Sequence, residues 1–171
     1  MDRGRRLKTI GASLAIGAGM CALACGIGGL FLAAAGMRSA TPAAAIERVL
    51  EADRLASQGT SSPGEIVANM RAIDLAGCPE DFKNAFLRHI EAWEGRAAVH
   101  AEAEAWIAEF APGQGTPEDV LYTTNLPEGA SAEGEMRRLA IQRSSKNAQQ
   151  AIQSTFEAVE RLAAEHGARV R

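Results

Sequence analysis

The chain reads as all-α: an N-terminal transmembrane helix followed by a small helical bundle built on a long antiparallel helix hairpin. Three observations predict this. The run Thr9 to Met37 contains no charged side chain. Beyond it, β-branched and aromatic residues are sparse, aromatics being 5% of the chain, and no sustained alternation marks a strand. One grammar of helix starts also recurs: a polar cap or turn, then Pro, then acidic residues. At 171 residues the chain holds one folded unit with room for a membrane segment.

The uncharged run comes first. As a helix at ~1.5 Å per residue it spans about 43 Å, and roughly 20 apolar residues suffice to cross the hydrocarbon core. A soluble helix with no charge on any face would need burial all round in a domain this small. Residues 1–38 carry five basic side chains against one acidic, a net +4, whereas residues 39–171 carry thirteen basic and twenty acidic, a net −7. Arg3, Arg5, Arg6 and Lys8 crowd the N-terminal flank and only Arg38 follows the run. The positive-inside rule then predicts a cytoplasmic basic stub at 1–8, a signal anchor at 9–37 and an exported, periplasmic part at 38–171.

Two rival readings of the run fit less of the pattern. Ala33-Ala34-Ala35 would serve as a signal-peptidase site, but the apolar stretch before it exceeds the roughly 7–15 residues of a cleavable signal. Leu23-Ala24-Cys25-Gly26 resembles part of a lipobox, with Ala22 where that motif usually has Leu and a further apolar stretch after Cys25. Gly11, Ala15 and Gly19 recur every fourth position, as do Ala18, Ala22 and Gly26. Such rows let membrane helices approach closely and are compatible with a homodimer, although the chain contains 35 Ala and the rows follow from that abundance equally well.

Four longer helices are predicted in the exported part. Thr41-Pro42 opens one near 42–58, ended by Gly59. Ser62-Pro63-Gly64-Glu65 reads as a capping box opening one near 63–76. Pro79 with Glu80 and Asp81 opens a third near 79–110, stopped by Pro112 and two glycines, and Thr116-Pro117-Glu118-Asp119 starts a short turn of helix. Residues 123–130 read as loop, and Ser131 caps a last helix near 131–166 that no Pro interrupts.

The two long helices carry inward stripes. In the third, Phe82, Phe86, His89 and Trp93 share a face that is either core or partner-binding. Past Gly95 the apolar face rotates to Val99, Ala103, Trp106 and Phe110, which predicts a bend or a change of packing partner. In the last helix Ile141, Ser145, Ala148, Ile152, Thr155, Val159, Leu162 and His166 alternate steps of four and three, a short coiled-coil seam. The two should pair as an antiparallel hairpin with the shorter helices against it.

Chemistry is harder to find. His89 inside an aromatic stripe is most simply a core histidine bonded through one ring nitrogen. His100 and Glu104 have the i, i+4 spacing of two metal ligands, but no third stands out and an ion pair explains them equally well. His166 suits the helix dipole. Cys78 is alone in the exported part, so no disulfide forms within it, and burial as a small hydrophobe is expected. The chain has no G-x-S-x-G elbow, phosphate-binding Gly loop, H-E-x-x-H or C-x-x-C. No catalytic residue, metal site or cofactor is assigned, and the negative exported part disfavours nucleic acid.

The sequence therefore predicts a membrane-anchored periplasmic accessory or scaffold subunit that binds another protein or its own copy. The alternative is a ligand-binding or sensory bundle, with a tethered hydrolase or metal enzyme behind it. Two observations would separate the first two: an apolar pocket beside His89 favours a ligand, and a flat exposed aromatic patch favours a protein.

Overall fold

The computed structural model describes residues 41–58, 62–123 and 131–170, all within the compact unit Met37–Arg171. The uncharged run 9–37, with the anchor, cleavage, Cys25 and small-residue readings that fall on it, lies outside the described residues. Among the described residues there is no strand, and no helix is long and apolar enough to cross a membrane.

Five helices build the unit: α1 (Pro42–Ser57), α2 (Pro63–Arg71), α3 (Glu80–Phe110), α4 (Pro117–Tyr122) and α5 (Ala132–Glu165). Local chemistry sets most of their starts. Thr41 Oγ1 accepts from Ala44 N at 3.3 Å, and Ser131 Oγ accepts from Gly134 N at 3.1 Å, each satisfying an otherwise orphaned N–H. The capping box belongs to α4, where Thr116 and Asp119 bond each other's backbone N–H.

Ser62 does not form the capping box its sequence predicts. It stands at the N-cap of α2, but its hydroxyl makes no cap bond, because Glu65 N already reaches the Ser62 carbonyl at 3.1 Å. α2 also stops at Arg71 rather than near 76. Asp74 accepts from Ala76 N at 2.8 Å, an Asx-type turn that competes with helical pairing. Gly77 then takes φ +81°, where a side chain would be strained. The other boundaries differ from the sequence reading by a residue: Pro79, Ser131 and His166 flank their helices as caps rather than lying inside them.

α3 and α5 pair antiparallel along their length. Trp106 Nε1 donates to the Gly134 carbonyl at 2.7 Å near one end, and Asp81 bonds His166 at 3.0 Å near the other. The inward seam of α5 reaches back past Ile141 to the buried Arg138 and Gly134, continuing the same steps of four and three. Space is tight at Gly134, where a Cβ would lie 3.0 Å from the Phe110 ring.

Two hydrophobic clusters form along the hairpin. In the first, Phe82, Phe86 and Ile90 of α3 meet Ile46 and Val49 of α1, Met70 of α2 and Val159 of α5. In the second, Val99, Ala103 and Trp106 of α3 meet Val120 and Leu121 of α4 and Ile141 of α5. α3 is unbroken across Gly95, so the rotated stripe reflects a change of neighbour, from α1 and α2 to α4. Cys78 is buried in the first cluster, and burial pushes its thiol pKa up.

Candidate functional site

The aromatic stripe of α3 divides between two settings. Phe82 and Phe86 are fully buried and stack in the first cluster with ring centroids 6.3 Å apart. His89 and Trp93, one and two turns further on, line a cleft of about 800 Å³ between α1 and α5. Trp93 is only partly buried; the fully buried tryptophan is Trp106, in the other cluster.

His89 joins α3 to α5 through a chain of bonds that specifies its tautomer. An indole N–H can only donate, so Trp93 Nε1 gives its proton to His89 Nε2 at 3.3 Å. The ring proton must then sit on Nδ1, which donates to Thr155 Oγ1 at 3.0 Å, and Thr155 passes its own proton to the Ala151 carbonyl at 2.7 Å. Phe156 covers the imidazole with centroids 5.4 Å apart. Burial pulls the His89 pKa down to about 4, with the Ile152 carbonyl opposing the shift. His89 is thus a neutral connector with both ring nitrogens engaged.

Asp53 is the residue that sequence reasoning missed. It is 9% exposed and lines the cleft from α1. No hydrogen bond or ion pair reaches its carboxylate among the described residues. Burial alone raises its pKa to about 6, so it is mostly ionised at neutral pH. The spacing of Ile46, Val49, Asp53 and Ala56 held the signal, because steps of three and four put Asp53 on the inward face of α1.

Several of the surrounding charges are already committed. Arg54 forks onto Glu51 at 2.9 and 2.6 Å. Arg48 Nη2 donates to the Ala76 carbonyl at 2.8 Å, and Glu47 accepts from Arg169 N at 3.0 Å. Leu50, Ile152 and Val170 add apolar wall.

The remaining sequence candidates lie elsewhere. His100 faces two carboxylates, Glu104 at 3.5 Å and Glu118 at 3.3 Å. Among the described residues no three His, Cys, Asp or Glu side chains come together to hold a metal ion. His166 bonds Asp81, and that bond, aided by the Phe82 N–H, holds the Asp81 carboxyl below its usual range. Comparison with protein-family models, curated proteins and solved structures finds no match to this chain. The chemistry of the cleft therefore carries the functional reading.

Proposed function

We propose that the helical unit is a binding module that takes a small amphipathic molecule into the cleft between α1, α3 and α5. One observation carries this reading: a buried carboxylate with no partner among the described residues lines a cleft that also has apolar walls. A buried charge that nothing neutralises costs stability, and such groups cluster where a ligand supplies the missing partner. The volume of about 800 Å³ lies within the roughly 300–1,000 Å³ of small-molecule sites. The cleft lies beside His89, where an apolar pocket would favour a ligand over a scaffold, and its walls combine apolar side chains with seven charged ones.

The charge asymmetry around residues 9–37 supports a setting for this module: anchored by that run in the inner membrane, with the bundle on the periplasmic side. A protein partner remains a second reading. Tyr122, Met136 and Leu139 are exposed around α4 and the first turns of α5, at the end of the hairpin away from the cleft. No catalytic group is assigned.

Binding of the neutral dye N-phenyl-1-naphthylamine to the full chain tests the module. Gln153→Trp, which adds an indole to the cleft from exposed α5 positions, should reduce dye binding at least about tenfold, equivalent to ~1.4 kcal/mol. Equal binding by parent and variant would place the dye elsewhere and remove the support.

A further inference from the structure

The cleft has a directional chemistry. Its acidic lining consists of Glu47, Glu51 and Asp53 from α1 and Glu160 from α5. Against these stand Arg48, Arg54 and, from the C-terminal tail, Arg169. Arg54 is held by Glu51 and Arg48 by the Ala76 carbonyl, so the arginines nearest Asp53 in sequence are spoken for. An anionic ligand would add a second negative charge beside Asp53. A neutral one would leave its carboxylate desolvated and unpaired. A metal ion would need further carboxylate, His or Cys ligands, and no such group of three occurs among the described residues.

Resting on the binding reading above, we propose that the ligand is an organic ammonium ion, its nitrogen paired with the Asp53 carboxylate and its apolar part lying along Trp93, Ile152 and Phe156. A buried carboxylate gains a charge-assisted bond that water no longer provides. The faces of Trp93 and Phe156 attract a cation, and they accept the attached hydrocarbon equally well. His89 does not compete for the anion, because its one ring proton already goes to Thr155. The same ammonium chemistry can come from a free amine or from an ethanolamine lipid headgroup.

Titration of the full chain with hexylamine, hexanol, hexanoate and dihexanoyl phosphatidylethanolamine, followed by tryptophan emission with a Trp93→Phe chain as blank, decides the matter. At pH 8 hexylamine or the lipid should bind at least about tenfold more tightly than hexanol or hexanoate. Whichever of the two ammonium compounds binds more tightly identifies the source. Asp53→Asn should erase that preference, so that hexylamine binds no more tightly than hexanol. In the parent chain, lowering the pH from 8 to 5 should weaken amine binding about tenfold, as a carboxyl titrating near 6 takes up its proton. His89, at about 4, stays neutral over that interval, and a parallel weakening of hexanol binding would assign the effect to Glu47, Glu51 or Glu160 or to the fold, and overturn the role of Asp53. Hexanol or hexanoate binding as tightly as hexylamine overturns the ammonium assignment and leaves the binding module standing. No binding by any of the four overturns both.

Discussion

The two ends of the α3–α5 hairpin bury charge in opposite ways. Toward α4, Arg138 forks onto Glu135 at 2.9 and 3.1 Å and gives a third bond to the Thr123 carbonyl at 2.7 Å. Arg96 reaches Ser145 Oγ at 2.6 Å and the Tyr122 hydroxyl, with its guanidinium 5.4 Å from the Tyr122 ring centre. Both arginines are buried and both are bonded from more than one direction. Toward α1, Asp53 is buried to a similar degree, and among the described residues no hydrogen bond or ion pair reaches its carboxylate. A satisfied buried charge ties helices together, whereas an unsatisfied one opposes folding and has to be explained by something it binds. The difference teaches where to look for function in a bundle with no catalytic motif.

The contrast can be broken most forcefully through the two tryptophans. Trp106→Ala should cost about 3–5 kcal/mol by chemical denaturation, since it empties a fully buried site and removes the indole bond to the Gly134 carbonyl. Trp93→Ala, half in the cleft, should cost less than half as much. Equal losses would mean that the cleft is closed core. Next in size, Arg138→Ala should remove about 1–3 kcal/mol by leaving a part-buried Glu135 without its partner.

Asp53→Asn should act in the opposite direction. The folded pKa of Asp53 is raised from 3.8 to about 6, so its contribution to stability is fully present below 3.8 and is lost as the pH rises through 6. Removing the charge should therefore stabilise the protein by about 1–3 kcal/mol at pH 8, with the gain vanishing by pH 4. A destabilised variant at pH 8 would show that the carboxylate has an internal partner. His89 runs the other way: its folded pKa is lowered from 6.5 to about 4, so its contribution is present above 6.5 and lost as the pH falls toward 4. The parent should change little between pH 6 and 4 while the two effects offset each other, and Asp53→Asn should lose stability steadily on acidification. Thermal melts across that range separate the two curves. The smallest effect is expected at Glu104→Gln, whose exposed pairing with His100 should be worth under about 0.5 kcal/mol. A larger loss there would show that His100 is more than an ion-pair partner.

Much of the fold was legible because its signals are local. Pro residues, polar caps and the terminal glycines mark helix ends within a few residues of themselves. The error at α2 is of the same kind: Asp74 offers its carboxylate to the backbone two residues on, and helical periodicity does not register that competition. The α5 seam could be read from Ile141 onward because Ile, Val and Leu occupy it. It was cut short at Arg138 and Gly134, whose inward placement depends on a partner for the guanidinium and on the Phe110 ring, both distant in sequence.

The candidate site was legible only in part. His89 and Trp93 stood out as large groups in an Ala-rich chain, but their stripe runs from core into cleft without any change of residue type. Asp53 has the spacing of a core position and the chemistry of a surface one, so the pattern could not assign it. The helical class, the positions of the two long helices and the inward seam were determined by the sequence itself, since periodicity and capping act within a turn or two. Which inward residues would meet a neighbour, and which would face an opening, was decided by tertiary packing. α1 packs with Phe82 and Phe86 in the first cluster and lines the cleft at Asp53, a matter of packing between helices that no single helix encodes.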